Sequence, residues 1–587
     1  MYLDRYVKSP LLTALGLQTI PLLRLAITLF ERLKSQTHRL DETVPARTAM
    51  IYPESLDASP LVLVCVFGPV LAVTYLLALA TWRLYLCPQA DIPGPTLAKL
   101  TYWYEFYYDV VLGGQYIWKI RALHEQYGPI LRINPEEVHI QDADYYDQVY
   151  AGSTHKRNKW TFFTNQSGLP QSAFGTPDHN LHRMRRAALN PYFSKAKVRV
   201  LQPRIESSLH NLMVRFREFQ QSGEAMTVSL AYAALANDIV MEYAFARSEN
   251  RLLAHDFDPS FKEAGEAGAK LGHFVKQMPW VLTLMKLLPD SAQISLNPVM
   301  ASYINLNKDV IRHVSEIYAH RGDPDSKYNS QTTIFHAILQ GDLPEKEKSP
   351  DRLWQDGQVV VIAGTLTTAA ALSEITFHLL RQPSELRNLK QELADAAPDP
   401  TAPLDTVKLE QLPYLSAIIK EGLRLSSGIS TRLQRIATDE TLIYTAKTRE
   451  GIDGKKPTTT EKQYVLRPGI PLSMTGLLIH HSPIYFEDPM TFRPQRWIDD
   501  PSLEDHLVPF SRGTRACVGL NLAYAELYAT IATVFRQYGS REVRFPQDRG
   551  FLELYDTSYK DIEIIGDGVT PLYRPESKGV RITVHAA

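Results

Sequence analysis

The sequence predicts a mainly α-helical protein with small β-sheets, built as one large domain behind a single N-terminal transmembrane helix. Three long stretches, 351–380, 409–426 and 520–536, carry the apolar repeat of packed helices. The run Leu61–Trp82 contains no charged residue, and about 20 apolar residues are enough to cross a bilayer core. The rest of the 587-residue chain contains no Gly/Ser-rich or acidic linker that would divide it into several domains.

Composition narrows the class of protein. Hydrophobic residues make up 44% of the chain, with 30 Tyr and 21 Phe, so a large core can form. The net charge of -1 argues against nucleic acid as a partner. The three cysteines, Cys65, Cys87 and Cys517, are too few and too far apart for a disulfide framework, which indicates a reducing compartment for the main body.

The N-terminal region divides into three segments before the main domain. Residues 1–60 form an extension of unknown role, with the pattern of an interfacial amphipathic helix and a secretory signal peptide as the open alternative. Residues 61–82 are the predicted transmembrane helix, for which a buried core helix is the alternative. Residues 83–95 end in Ile-Pro-Gly-Pro and predict a rigid hinge. Residues 96–587 then form the main domain.

Inside that domain, residues 102–127 have an aromatic helical pattern, and Ile130–Ile133 with Val138–Ile140 predict a short hairpin. Asp178–Asn190 predicts a helix with an acidic start. The polar stretch Lys447–Lys462 predicts a flexible surface insertion.

A loop near the C-terminus, PFSRGTRACVG (residues 509–519), places Cys517 just before the helix predicted at 520–536. The unpaired N–H groups at a helix start stabilise a thiolate, which is a soft metal ligand. Gly513 and Gly519 let the loop fold tightly, Arg515 can meet a negative group, and Phe510 can shield one side from water. These parts fit a haem iron held by a thiolate.

The predicted helix at 351–380 contains AGTLTT at residues 363–368. A glycine inside a helix costs up to about 1 kcal/mol relative to alanine, so Gly364 suggests that another group approaches the backbone closely. A threonine in mid-helix can bond to the carbonyl of the preceding turn and bend the helix. Thr367 and Thr368 are therefore candidates for a groove that accommodates dioxygen.

These patterns, in this order, resemble the cytochromes P-450 over about residues 92–570, and in particular membrane-bound fungal secondary-metabolism members such as the trichodiene oxygenases. The resemblance implies the cytochrome P-450 fold, a haem b (iron protoporphyrin IX) cofactor, and Cys517 as the iron ligand between Phe510 and Gly519. It makes Thr367 the oxygen-activating threonine. Leu366 occupies the place of the family's acid, so either ordered water with Thr367 and Thr368 carries protons, or the pathway differs.

The resemblance also implies roles for charged residues. His182 and Arg186 lie four apart on one helix face. They stand where the family has an aromatic residue and an arginine that bind a haem propionate; His182 departs from the aromatic residue but keeps an N–H donor. Arg435 and Arg515 match arginines that hold propionates. Three further residues match the family's buried structural triad under the haem: Glu421, Arg424 and Arg496.

The implied reaction is monooxygenation, in which one oxygen atom from O₂ enters a lipophilic small molecule by hydroxylation or epoxidation. The expected substrate is a terpenoid or polyketide intermediate of fungal secondary metabolism. Electrons would come from NADPH through an NADPH-cytochrome reductase or a cytochrome b-type donor. The expected location is single-pass in the endoplasmic reticulum membrane, with the catalytic domain facing the cytosol.

Two alternatives to monooxygenation stay open at this point. Leu366 also suits a haem-thiolate isomerase or dehydratase that does not use O₂. The third candidate is a haem-binding protein without catalytic turnover.

Overall fold

The computed structural model describes residues 60–321, 333–402, 405–450 and 458–587. The predicted extension at 1–60 lies outside the described residues, except for Pro60. The helices are α1 (Pro60–Thr81), α2 (Thr96–Leu100), α3 (Trp103–Phe106), α4 (Tyr116–Tyr127), α5 (Tyr146–Val149), α6 (Thr161–Thr164), α7 (His179–Leu189), α8 (Lys195–Val200), α9 (Gln202–Ser222), α10 (Val228–Phe245), α11 (Ser260–Gln277), α12 (Trp280–Met285), α13 (Asp290–Leu296), α14 (Met300–Ala319), α15 (Ile334–Gln340), α16 (Pro350–Arg381), α17 (Pro383–Ala396), α18 (Thr406–Leu409), α19 (Pro413–Ser426), α20 (Gly476–His480), α21 (Arg496–Asp499) and α22 (Leu520–Gln537).

Thirteen strands within the described residues form four small sheets. The strands are β1 (Ile130–Arg132), β2 (Val138–Ile140), β3 (Arg157–Asn158), β4 (Met226–Thr227), β5 (Arg435–Ala437), β6 (Leu442–Glu450), β7 (Thr458–Leu466), β8 (Pro471–Ser473), β9 (Tyr538–Ser540), β10 (Gly550–Leu554), β11 (Gly566–Gly568), β12 (Thr570–Leu572) and β13 (Arg581–Ala586). The sheet orders are β1-β2-β8-β5-β3, β4-β13-β10-β9, β11-β12 and β6-β7. The predicted mainly helical fold with small sheets is therefore confirmed.

The described chain divides into two compact units. The first comprises residues 60–82 together with Trp280–Leu284, and the second comprises the other described residues. By length and composition, Phe67–Leu86 is an apolar stretch that could span a membrane, and none of it is buried against protein. Pro350–Arg381 meets the same criterion but is mostly buried, as expected of a core helix.

The second unit is organised around α16, a helix of 32 residues. It begins with Pro350 at its first position, ends just before Pro383, and packs against α10, α14, α19 and α22. The crossing with α19 is close, since a Cβ atom on Gly422 would lie 2.2 Å from Cγ1 of Ile375. Any larger residue at position 422 would force the two helices apart.

Several predicted boundaries change. Residues 102–127 do not form one helix, because Gly113 and Gly114 adopt φ values of +69° and +76°, a left-handed turn that ends the first segment. The hairpin of β1 and β2 and the helix α7, capped by the Asp178 side chain, form as predicted. The prediction of a flexible insertion at Lys447–Lys462 is wrong where the chain is described, because β6 and β7 pair there as an antiparallel ribbon.

A buried network of charged residues connects α19 to α21. Arg424 donates two hydrogen bonds to Glu421, at 2.9 and 2.8 Å, and Arg496 donates a third at 3.2 Å. The Trp497 indole N–H also donates to Glu421, at 2.9 Å. Glu421 and Arg424 are fully buried, so each charge depends on its partners for stabilisation.

A second buried set of charges connects four distant parts of the chain. Lys276 of α11 lies 2.6 Å from Glu105 and 2.9 Å from Asp109. Arg432 lies 2.5 Å from Glu105. His273, one turn before Lys276, contacts the backbone oxygen of Asp567 in β11 at 2.7 Å.

Buried histidines form a third polar feature. Nε2 of His124 lies 2.6 Å from Nδ1 of His139, whose other nitrogen lies 2.9 Å from the Thr475 hydroxyl. Burial lowers the pKa of His124 to about 4 and that of His139 well below its usual range. Both rings are therefore neutral at physiological pH.

Replacing Arg424 with alanine leaves the buried Glu421 carboxylate without its principal partner. We expect the free energy of unfolding to fall by roughly 3–5 kcal/mol, measured by chemical denaturation. Arg493→Ala is the matched control, because its side chain is 42% exposed and pairs with the exposed Glu487; we expect a change below about 1 kcal/mol. Equal losses in the two variants would contradict a special role for the buried network.

The buried histidines should make stability fall in acid. An unfolded histidine gains a proton near pH 6.5, whereas folded His124 resists protonation until about pH 4. As the pH falls from 6.5 to about 4, the free energy of unfolding should therefore fall by about 1.4 kcal/mol per pH unit for each such histidine. His124→Gln should flatten this dependence in urea titrations at several pH values, and His210→Gln, at an exposed position, should not. If the free energy of unfolding depended on pH in the same way in wild type and His124→Gln, His124 would be ruled out as a cause of the acid instability.

Candidate active site

The loop before α22 is fixed by close backbone contacts. The Cys517 N–H donates to the Phe510 carbonyl at 2.8 Å, and the Phe510 ring packs on Tyr524 of α22 with centroids 5.3 Å apart. Gly513 adopts φ +72°, and a Cβ there would lie 2.2 Å from the carbonyl oxygens of Tyr150 and Ala151. Only glycine satisfies both the conformation and the space at that position.

Protein surrounds the Cys517 sulfur, although the residue is accessible to solvent. Its residue surface is exposed, yet the surrounding protein desolvates the sulfur. Burial raises the pKa of the Cys517 thiol, while the N–H groups of Gly519 and Leu520 and the charge of Arg186 lower it. The stabilisation predicted from the helix start is therefore present, but burial outweighs it, and a bound cation would favour the thiolate.

Four cations gather next to this loop. Burial, and then the charges of Arg515, Lys159, Arg186 and Arg435, lower the pKa of His182 to about 2. The charges of Arg435, Arg515 and Arg186 likewise add to the effect of burial in depressing the pKa of Lys159 far below its usual value. The structure thus brings together His182, Arg186, Arg435 and Arg515, as the sequence predicts.

These cations are held by neutral groups. Arg515 donates to the carbonyls of Thr176 and Pro177, both at 2.7 Å, and Arg186 donates to the Ala516 carbonyl at 2.8 Å. The Arg435 guanidinium lies over the Tyr150 ring, 5.0 Å from its centroid. Across the described residues, no carboxylate lies within 4 Å of any of the four cations. Because arginine stays protonated at any pH the protein meets, the cluster keeps a positive charge that is suited to anionic groups of a ligand.

Lys159 also belongs to this cluster of cations, although sequence patterns do not predict it. Its ammonium group donates to the Phe174 carbonyl at 2.6 Å and lies 3.8 Å from the centroid of the Phe174 ring. It sits between β3 and α6, in a segment without helical or strand periodicity. A lone lysine there reads as a surface residue, and only tertiary packing brings it to the cluster.

The middle of α16 supplies the opposite wall. Ala363 is exposed although most of the helix is buried, so this face borders an internal space. The Thr367 hydroxyl donates to the Ala363 carbonyl at 2.7 Å, as predicted for a threonine in mid-helix. Gly428 approaches the same residue, since a Cβ on it would lie 3.2 Å from Cβ of Thr367.

The two residues that flank Thr367 in the sequence contact different helices. Leu366 packs on α11, where a Cβ atom on Gly265 would lie 2.5 Å from Cδ1 of Leu366. Thr368 is buried, and its side chain lies beside the Glu526 carboxyl of α22 and lowers the pKa of that carboxyl. Burial raises the pKa of Glu526 to about 8. Sequence patterns do not predict Glu526 as a site residue, because a single glutamate on an amphipathic helix usually faces solvent.

The donor set fits a haem. One accessible thiol beneath an internal space can serve as a soft axial ligand to iron. The four cations without carboxylate partners match the two propionates of the porphyrin in charge, and the small residues of α16 leave room on the opposite side. Thr367 and Thr368 lie on that helix, whereas Glu421, Arg424 and Arg496 form the separate buried network described above.

Comparison with known proteins identifies the family. The family described as "Cytochrome P450" matches residues 94–549. The chain is 48% identical to the cytochrome P450 monooxygenase tpcC of Cochliobolus heterostrophus, over 87% of this chain and 95% of that protein. It is 39% identical to the tryptophan 6-hydroxylase fscE of Fusarium equiseti, over 86% and 94%. It is 38% identical to the N-acetyltryptophan 6-hydroxylase ivoC of Emericella nidulans, over 87% and 95%.

These relatives are monooxygenases and hydroxylases, in agreement with the site geometry. The match spans most of the chain and includes the Cys517 loop, the helix α16 and the cationic cluster. The chain belongs to the cytochrome P450 family and is a monooxygenase that incorporates oxygen into small molecules.

Proposed function

We propose that the enzyme binds haem b with Cys517 as the axial iron ligand. The single observation that carries this proposal is the accessible Cys517 residue beside cations that, among the described residues, have no carboxylate within 4 Å. Haem would supply the iron at which dioxygen is reduced. Phe510 would shield the sulfur from water, and Gly519 would bring an N–H group toward it.

The cations would hold the two propionates. Arg186, Arg435 and Arg515 carry this role, with His182 as a neutral N–H donor and Lys159 as a fourth cation. Since their charges already repel one another, binding two carboxylates relieves that repulsion as well as forming hydrogen bonds. Haem affinity should therefore depend strongly on each of these side chains.

Two groups of residues would have separate tasks. Thr367 and Thr368 would handle protons on the side of α16 that faces the internal space. Glu421, Arg424 and Arg496 would keep the segment around α21 in place, and their role would be structural.

Electrons would come from NADPH through an NADPH-cytochrome reductase or a cytochrome b-type donor. Residues 61–82 would anchor the protein in the endoplasmic reticulum membrane, residues 83–95 would be the hinge, and residues 96–587 would form the catalytic domain on the cytosolic side. The exposed apolar surface of Phe67–Leu86 supports the anchor.

The substrate would be a lipophilic intermediate of fungal secondary metabolism. Terpenoids and polyketides are one class to test. Tryptophan and N-acetyltryptophan form a second class, because two relatives are named for hydroxylating those compounds.

Product analysis tests the reaction directly. The wild-type enzyme and Cys517→Ser are each combined with reductase, NADPH, and these compounds or fungal extracts under ¹⁸O₂. We expect wild type to form products one labelled oxygen heavier and to show the spectrum of a thiolate-bound haem with CO. Cys517→Ser should lose both, by at least about 100-fold for product. A retained thiolate spectrum in Cys517→Ser would refute the ligand assignment.

Lys159 provides a test of the cationic cluster. Lys159→Gln removes an amine that a bound carboxylate would keep protonated, and we expect the Kd for haem to rise by about tenfold or more, the loss of a charge-assisted hydrogen bond. Haem titration of the apoprotein measures this. The matched control is Lys156→Gln, three residues earlier, where the side chain is 56% exposed beside Asp439. Equal affinity in wild type and Lys159→Gln would exclude Lys159 from the propionate site.

A further inference from the structure

A cavity of about 420 Å³ lies between the helices α9 and α22. This volume is within the range of small-molecule sites in proteins. Its lining residues come from those two helices, from residues 400–402, and from Arg549 just before β10. Among the described residues that line it, none belongs to the proposed haem site, so the main reaction leaves this cavity without a role.

Part of the cavity wall is apolar. Leu209 and Met213 lie four residues apart on one face of α9. Ala529 of α22 adds a small residue to the wall. The three side chains are almost completely buried, with at most 4% of their surface exposed. The cavity can therefore bury the apolar part of a ligand, which favours binding.

Three arginines line the same cavity. Arg217 lies on α9, Arg536 lies near the end of α22, and Arg549 follows β9. Burial raises the pKa of Tyr538, and the charges of Arg217 and Arg549 both oppose that shift. Both charges therefore lie close to the Tyr538 phenol, which follows Arg536 by two residues. The three guanidinium groups thus gather at the C-terminal end of α22.

The protein does not neutralise these three arginines with carboxylates. The acids that neighbour them in the sequence pair with other cations: Glu218 pairs with Arg215, and Asp548 lies 2.7 Å from Lys390. Across the part of the chain that the structure describes, no carboxylate oxygen lies within 4 Å of any of the three guanidinium groups. This end of the cavity therefore has a positive charge that an anionic ligand can compensate.

Arg536 is the most deeply placed of the three, with 5% of its surface exposed. It donates to the Ala402 carbonyl at 3.1 Å and to the Ala397 carbonyl at 3.4 Å. These partners are neutral, and the buried Nε of Arg536 has no hydrogen-bond partner among the described residues. A buried donor without a partner costs free energy, which an oxygen atom of a ligand would recover.

Glu206 is the only carboxylate among the lining residues, and it lies at the other end of the cavity. It precedes Arg217 by three turns of α9, which is about 16 Å along the helix axis. It accepts a hydrogen bond from Gln202 at 2.9 Å. Since salt screens charges beyond about 8–10 Å, Glu206 leaves the positive end uncompensated. The cavity thus has a cationic end and a polar end, with apolar walls between them.

We propose that this cavity binds a small organic phosphate monoester. Its phosphoryl group would meet Arg217, Arg536 and Arg549, and its apolar or aromatic part would lie against Leu209 and Met213. A phosphate monoester has three terminal oxygens and nearly two negative charges at neutral pH. Arginine binds such oxyanions through paired N–H groups. A carboxylate has one charge and would leave more of the positive charge uncompensated.

Isothermal titration calorimetry of the full-length holoenzyme tests this proposal. The probes are phenyl phosphate and adenosine monophosphate, with inorganic phosphate for comparison. We expect at least one organic probe to bind at one site per chain, at least about tenfold more tightly than inorganic phosphate, because the apolar walls contribute to binding. Organic probes that bind no more tightly than inorganic phosphate would overturn the proposal.

Four variants locate the site. Arg217→Gln and Arg549→Gln should each raise the Kd of the organic probe by about tenfold or more, the loss of a charge-assisted hydrogen bond. Thr533→Glu adds a negative charge at a partly exposed lining position and should also weaken binding. Arg541→Gln is the matched control, because its side chain is 66% exposed and lies 3.0 Å from Glu553; we expect the wild-type Kd.

Haem content and the CO spectrum of each variant show whether the protein is folded, and they test the proposed haem site separately from the phosphate site. An unchanged Kd in Arg217→Gln or Arg549→Gln would overturn the proposal. Equal weakening in Arg541→Gln would also overturn it, because surface charge in general would then explain the binding. Weakening confined to the variants that line the cavity would support it.

Discussion

The concentration of positive charge around His182 is the constraint on which the rest of the site depends. Lys159, Arg186, Arg435 and Arg515 come from four separate segments, and burial of charges without counter-ions is costly. The fold tolerates this cost because backbone carbonyls satisfy the N–H groups in part. The remaining imbalance favours an anionic ligand, and Arg186 places one of these charges beside Cys517, because it bonds to the carbonyl of the residue just before that cysteine.

The long helix α16 joins the chemistry to the packing. Its Ala363 and Thr367 face the internal space, while its other faces contact α10, α11, α19 and α22. Leu366, Thr367 and Thr368 are consecutive, yet each meets a different environment because a helix turns by about 100° per residue. Three adjacent residues can therefore pack against α11, lie on the accessible face of α16 and lie beside the buried Glu526 of α22.

Much of this could be predicted from the sequence, because short motifs fix local geometry. The Cys517 loop, the pair His182 and Arg186, and the three residues Glu421, Arg424 and Arg496 meet as their spacing indicates. Lys159 and Glu526 were missed because nothing local distinguishes them from surface charges; their roles arise from contacts across the chain. The helix break at Gly113 and Gly114 was missed because two adjacent glycines allow a turn without requiring one. The ribbon of β6 and β7 was missed because strand pairing depends on a partner strand elsewhere in the sequence.

The C-terminal segment has a consequence for where the domain ends. The family match stops at residue 549, but β13 lies between β4 and β10 in its sheet. Asp567 bonds to Ser430 at 2.8 Å and contacts His273 of α11. A chain cut at residue 549 would remove β10 to β13, leave the edges of β4 and β9 without their partners, and remove the contacts of Asp567 with Ser430 and His273. The last 38 residues are thus part of the enzyme's architecture, and its boundary lies beyond the point where family resemblance fades.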